Sequence, residues 1–330
     1  MEPARVRSPD PEAAVGRDLD LLVLGEVNPD IVVRAADPRP VFGQVERWVD
    51  GIDLVIGSSS VIFACGAARL GLRTAFAGVV GDDALGRFML GAMAERGLEI
   101  SAVRIDPHLP TGASVILSAA SDRAILTAPG TIPRLRVADV PDALVARARH
   151  LHAGSFFLLD AARPDLPGLF AAARAAGATT SFDCNWDPRE AWDGGIRALL
   201  AETDVFLPNA AEATGITGVD DVEAAARALA ALGPRVVAVK LGAEGALADT
   251  AEGDAARCPA LAVDPVDTTG AGDSFDAGFL AGWLAGRPLG ACLALGVACG
   301  SLSTRGVGGT AAQPTLAEAE AAARAAGLPA

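Results

Sequence analysis

A rhythm constrains this chain more than any single residue: short apolar runs of strand character alternate with segments of helical period along most of its length. Leu19–Gly25 is largely apolar without alternation, as a strand buried on both faces must be. Val61–Gly71 reads as a helix of small residues, Thr74–Val80 as a strand, and a second helix runs from Gly81 to about Arg96. The series resumes at Leu151–Ser155 and passes through Thr179–Asp183, Val205–Leu207 and Arg235–Lys240. Helices after Asp273, at Leu289–Ser303 and at about Leu316–Ala326 close it. Repeated strand–helix–strand units predict an α/β fold, with a mostly parallel central sheet and helices on both faces. In such a sheet the carboxyl ends of the strands form one ligand crevice.

Two stretches break the rhythm, at about 31–56 and 103–130, where β-like pieces are interrupted by Pro38, Pro40 and Gly43 and by a polar turn at Ser121–Arg123. They are expected to form a small β-sheet lid over the crevice, although an edge hairpin would use the same residues. Residues 1–17 carry charge and proline but no signal-like apolar core, so a disordered leader is expected, followed by a single domain over 18–330.

Composition limits the partners. A formal charge of -14, no tyrosine and 5% aromatic residues disfavour nucleic acid and anionic membranes. No stretch is an unbroken membrane-spanning run. The five cysteines are scattered without a Cys-x-x-Cys pair, which suits reduced thiols and a cytoplasmic location. A hydrophobic share of 51% is ample for a core, so a small-molecule site is the natural expectation.

Polar residues recur just after the predicted strands: Asn28 and Asp30, Asp183 and Asn185, Asn209 and Glu212, and Lys240 with Gly242 and Glu244. The densest stretch is Asp267–Leu280, where Gly270, Ala271 and Gly272 precede Asp273 at a helix start. Small residues let an anion approach the unpaired N–H groups of a first helical turn. A carboxylate beside them suits a base taking a proton from an attacking hydroxyl. Each group has a plainer reading: Asn-Pro-Asp is turn chemistry, Asn209 and Glu212 suit a helix cap, and a strand-end lysine is ordinarily solvated.

Taken together, Asp267-Thr-Thr-Gly-Ala-Gly-Asp-Ser-Phe-Asp-Ala-Gly-Phe-Leu280, Asn28-Pro-Asp30, Ala67–Gly71, Gly78–Asp83, Pro208–Glu212 and Lys240–Gly245 resemble, in order, the landmarks of the ribokinase-like, or PfkB, carbohydrate kinases. The resemblance spans roughly Leu19 to Thr315 and implies the three-layer ribokinase-like fold. It implies ATP-dependent phosphorylation of a sugar or sugar-acid hydroxyl, with Asp273 as base and the Gly270, Ala271 and Gly272 amides as anion hole. Asn28, Asp30, Gly57, Ser58 and Arg123 would meet the substrate. Asn209, Lys240, Gly242, Gly245 and Thr268 would border the nucleotide, and Glu212 would hold Mg²⁺ through water. Asp267 and Thr269 match the region where relatives hold K⁺, and lid pairing between subunits implies a homodimer.

The pattern also departs from the family. The usual Gly-Gly pair is Gly57-Ser58, and Ile62 occupies the position of a sugar-binding Asn, so one hydroxyl contact is lost and ribose itself is not supported. A nucleoside kinase of the same superfamily and a non-catalytic sugar sensor on the same fold are the alternatives. A nicotinamide enzyme fits poorly, since no Gly-x-Gly-x-x-Gly follows the first strand.

Overall fold

The computed structural model describes residues 16–118 and 123–329. The leader therefore falls outside the described residues except for its last two, as does most of the Ser121–Arg123 turn. In chain order the first half holds β1 (Leu21–Leu24), β2 (Pro29–Arg34), β3 (Gly51–Ile56), α1 (Ser59–Arg69), β4 (Thr74–Gly81), α2 (Ala84–Glu95), β5 (Glu99–Asp106), β6 (Ala113–Ser118), β7 (Arg123–Ala128) and α3 (Asp142–Arg147). β8 (His150–Ala153), α4 (Leu166–Ala175), β9 (Thr179–Phe182), α5 (Ile196–Leu200), β10 (Val205–Phe206), α6 (Ala210–Thr217) and α7 (Val222–Ala230) follow. The chain continues through β11 (Val236–Lys240), β12 (Ala246–Thr250), β13 (Ala255–Cys258), α8 (Ala271–Leu284), α9 (Leu289–Ser303) and α10 (Leu316–Ala325).

Nine strands form the central sheet in the order β13-β12-β11-β10-β9-β8-β1-β4-β5, parallel except where β12 pairs with β11 and β13. The unbroken apolar run of β1 is explained by its two faces. Leu21 and Val23 pack into a core shared with α1, α2, α8, α9 and α10, while Leu22 and Leu24 pack into a core shared with α3 to α7. Both layers exclude water, so alternation would bury polar side chains without partners. The result is the expected three-layer α/β arrangement.

A second sheet has four strands in the order β3-β2-β6-β7. Its residues come from the two irregular stretches, with one correction. Val103 to Asp106 belong to β5, which pairs in parallel with β4 at the edge of the central sheet, so the second lid segment begins at Ala113. A strand that continues the parallel ladder after α2 satisfies more backbone groups there than a lid position would.

Register gives the lid two distinct faces. Asp30 lies beside Ser114, which lies beside Thr127, and Val32 lies beside Ile116, which lies beside Ile125. The alternate rows run through Leu54, Ile31, Val115 and Leu126 and through Ile52, Val33 and Leu117. Since strand side chains alternate, the first rows face the strand ends of the central sheet and the second rows face outward.

Candidate active site

β1 meets β4 on one side and β8 on the other, so successive connections leave it in opposite directions. Such a reversal opens a crevice at the strands' carboxyl ends. Helix α8 points its first turn into that crevice, with Gly270 as its N-cap in the left-handed region at φ 72°. A Cβ there would lie 2.7 Å from Gly309 Cα and 2.8 Å from Ile62 Cγ2, so geometry and space both require glycine. At Gly272 the nearest atom to an added Cβ is Lys240 Cδ at 3.5 Å, an ordinary contact. That glycine is there for the open space beside it.

The first turn of α8 separates two cavities. One, of about 420 Å³, is lined by Thr268, Ala271 and Gly272, by Lys240, Gly242 and Gly245, and farther out by Leu261, Val263, Val297 and Ser301. The other, of about 280 Å³, takes Glu26, Asn28, Asp30, Ser58, Ser59 and Ile62 from the strand-end loops, and Thr269, Gly270 and Asp273 from the start of α8. Ser114, Ile116, Ile125 and Thr127 of the lid cover it, with Ile132 and Asn185 at its margin. Gly57 belongs here too, because the Asp30 carboxylate occupies the place of its missing side chain, 2.2 Å from an added Cβ.

Asp273 faces the smaller cavity. Burial, with the Asp183 and Glu26 carboxylates nearby, holds its carboxyl well above the usual carboxylate range, against the pull of Lys240 and a hydrogen bond from Ser59. Lys240 is not the solvated strand-end lysine of the plainer reading. Its Nζ lies 2.6 Å from Asp183 Oδ2 and 3.1 Å from both Asp276 oxygens; both acids are buried and the lysine side chain is 12% exposed. The ammonium braces β9, β11 and α8 together, while the stem of Lys240 borders the larger cavity.

Asn209 and Glu212 do form a helix cap. Asn209 Oδ1 accepts from the Glu212 N–H at 2.9 Å, and Glu212 Oε2 accepts from the Asn209 N–H at 2.8 Å. Burial and the neighbouring Asp183 push the Glu212 carboxyl up to about 7. Neither residue lines the two cavities. One ligand atom each from Asp183, Cys184 and Glu212 lies within 4.8 Å of the others, all buried. Asp267 accepts N–H groups from Thr269 at 2.9 Å and Gly308 at 2.8 Å, tying the glycine turn to the segment after α9. Arg123 opens β7 beside Ser118, at the hairpin end of the lid.

Sequence reading missed Glu26, Ser114, Thr127 and Ser155, and assigned no role to Asp276. Asp276 carried a signal, because it lies three residues after Asp273 on one helix face. Ser114 and Thr127 carried none, since lid register alone brings them beside Asp30.

A three-layer α/β domain, with a helix start set between two cavities and a small sheet over one of them, is the frame on which comparison with known proteins places a phosphotransferase acting on an alcohol group. The model of the pfkB family carbohydrate kinases matches residues 23–316, and the chain belongs to that family of ATP-dependent sugar kinases. A fructokinase of Klebsiella pneumoniae is 36% identical over 277 residues, covering 78% of this chain and 88% of that one. The solved aminoimidazole riboside kinase of Salmonella enterica, complexed with aminoimidazole riboside and an ATP analog, superposes with a TM-score of 0.76 at 25% identity, over 92% of this chain and 99% of that one. The Arabidopsis thaliana ribokinase complexed with ribose and ATP shares the fold, with a TM-score of 0.79 at 23% identity over 93% and 99% of the two chains.

Proposed function

We propose that the larger cavity takes ATP and the smaller one a sugar or sugar acid, and that Asp273 removes the proton from the attacking hydroxyl. One observation carries this reading: the first turn of α8 presents Gly272 to one cavity and Asp273 to the other. The raised proton affinity of Asp273 suits a base. The N–H groups of Gly270, Ala271 and Gly272 stand at the start of a helix, where negative charge developing on a transferred phosphoryl group is stabilised. Asn28 and Asp30 are the groups best placed to hold sugar hydroxyls, since a carboxylate accepts two hydrogen bonds. An ATP-consumption screen over sugars, sugar acids and nucleosides tests the reading, and the absence of turnover with every class would overturn it in favour of a sugar-binding sensor.

Magnesium would neutralise phosphate charge and keeps several waters of its own. Glu212 is the proposed contact to that hydrated ion through water, with its Oε2 held in the cap and its carboxyl also bonded by the Cys184 thiol. Asp267 and Thr269 are the proposed K⁺ neighbours, with a 2.9 Å bond between them that would fix the carboxylate's direction. The outward lid rows leave Ile52, Leu54 and Leu126 exposed, which supports a homodimer through the lid. Buried free cysteines support a cytoplasmic location, and among the described residues no helix is long and apolar enough to cross a membrane.

A second reading, a riboside or other nucleoside as acceptor, is favoured by the likeness to the aminoimidazole riboside kinase and by the isoleucine wall of Ile62, Ile116, Ile125 and Ile132, against which a base could lie. Phosphorylation of nucleosides in preference to sugars would select it.

A further inference from the structure

Glu26, the residue after the Gly25 that ends the first strand run, is 3% exposed and makes no ion pair among the described residues. Its partners are hydroxyls instead. Ser58 donates to Oε1 at 3.0 Å, Ser155 to Oε1 at 3.0 Å and Ser60 to Oε2 at 2.5 Å, with the Ser60 N–H at 3.4 Å from Oε1. The Ser58 hydroxyl also lies 2.6 Å from the Glu26 carbonyl oxygen. Room for this cluster is made in the backbone. At both Gly25 and Gly154 an added Cβ would fall on the Ser60 side chain, at 2.0 and 2.2 Å.

The donors are held at a conformational cost. Ser58 and Ser155 have φ of 66° and 53°, and Asn185, which donates to Ser155 Oγ at 3.1 Å, has φ of 56°. Each left-handed position costs about 1–3 kcal/mol for a residue other than glycine, and such positions persist where surrounding contacts over-determine them. Here two from separate loops bond one carboxylate directly, and the third reaches it through Ser155. That carboxylate, Ser58, Ser59 and Asn185 are all wall residues of the smaller cavity, with Asp273 on the same wall.

Resting on the reading of this cavity as the acceptor site, we propose that Glu26 is a positioning residue for phosphoryl transfer. Its carboxylate, held by the Ser58, Ser60 and Ser155 hydroxyls, fixes Ser58 and, through Ser155, the Asn185 amide as the wall against which the acceptor is oriented. An apolar side chain would fill the volume but leave three hydroxyls without their shared acceptor. Burial raises the Glu26 carboxyl above its usual range, and the hydrogen bonds from Ser60, Ser155 and Ser58 pull against that by favouring the ionised, acceptor-only form.

The proposal separates from a purely structural role through Asp273. The ionisable groups facing Asp273 are Glu26 from the β1 end, Asp183 from the β9 end and Lys240 from the β11 end, with Asp276 on α8 itself and the Ser59 hydroxyl from α1. Removing the Glu26 charge takes away one of the repulsions that raise Asp273, so the acid limb of the pH–rate profile moves to lower pH.

The experiment uses full-length protein with fructose and ribose, keeping whichever the wild type phosphorylates. Glu26→Gln is expected to raise the KM for sugar about tenfold, leave the KM for ATP within twofold, and shift the acid limb downward. Ser155→Ala, which removes one of the donors to Glu26 and cuts the relay to Asn185 while leaving a carboxylate at position 26, is expected to raise the sugar KM about threefold with a smaller effect on the pH profile than Glu26→Gln. A folded Glu26→Gln protein with wild-type sugar KM and pH profile overturns the proposal. Should that variant fail to fold, an unchanged sugar KM in Ser155→Ala overturns it instead. If the wild type phosphorylates neither sugar, the assay moves to the acceptor found in the ATP-consumption screen, and only absence of turnover with every class fails the acceptor reading and the inference with it.

Discussion

The two cavities beside α8 are built in opposite ways. Every lining residue of the larger one falls in a single run of chain, Lys240 to Thr304, from the end of β11 past the β12–β13 hairpin to the loop before α8 and helices α8 and α9. The smaller one draws on the ends of β1 and β9, the start of α1, both lid segments and the first turn of α8. A cavity made by consecutive elements leaves a motif in sequence, whereas one made by convergence leaves scattered single residues. Chemistry common to a family can therefore sit in a readable stretch while acceptor choice is spread through the fold.

The sharpest way to test that division is at the shared wall. Asp273→Asn keeps shape but removes the base, so turnover is expected to fall by about 10²–10⁴-fold. Binding of ATP, measured by calorimetry, should stay within threefold, because Asp273 lines the smaller cavity. Loss of ATP affinity in step with turnover would mean that the two cavities are not functionally separate. The wild-type pH dependence follows from the same residue. Burial and the nearby carboxylates raise its proton affinity, so the folded protein holds that proton to higher pH than a free aspartate does. The rate should therefore rise with pH, through a limb displaced above the ordinary carboxylate range.

Two glycines of the same turn sharpen the contrast further, since one is required by the fold and the other by the cavity. Gly270→Ala forces a methyl against Gly309 and Ile62 at a positive φ, and should cost about 1–3 kcal/mol of stability, read as a lowered unfolding midpoint. Gly272→Ala meets only an ordinary contact with Lys240 and sits in a helix, so the midpoint should hold or rise slightly. Its methyl borders the larger cavity, and the expected effect is about a tenfold rise in KM for ATP with the sugar KM unchanged. A matching rise in both KM values would merge the cavities into one site.

The same contrast explains what the sequence made legible. Strand–helix alternation carries the central sheet because a strand buried on both faces has nowhere to hide a polar residue, and β1 obeys that rule in full. Asp267–Asp273 could be read because the turn, the helix start and the carboxylate are adjacent. Lys240 was found but its engagement was not, since Asp183 and Asp276 reach it from other elements. Glu26 was passed over because a lone acid after a strand differs in nothing from a solvated one until Ser58, Ser60 and Ser155 are folded around it. The second lid segment was begun too early because Val103–Asp106 has the β character of either sheet, and only pairing with β4 decides between them.

The lid supplies the mildest test. Its inner rows, with Asp30, Ser114 and Thr127, face the smaller cavity, while Leu126 is 64% exposed on the outer face with Ile52 at 66%. Leu126→Asp places a charge on that outer face without touching a cavity wall. If two copies pair there, the variant should run as a monomer by light scattering while the wild type runs as a dimer, because an unpaired charge buried between apolar surfaces is costly. Turnover should change less than threefold, since Asp273 and the inner rows stay in place. A fall of tenfold or more on losing the partner would tie the outer face to the inner one, and the lid would then belong to the acceptor site as a dimeric unit.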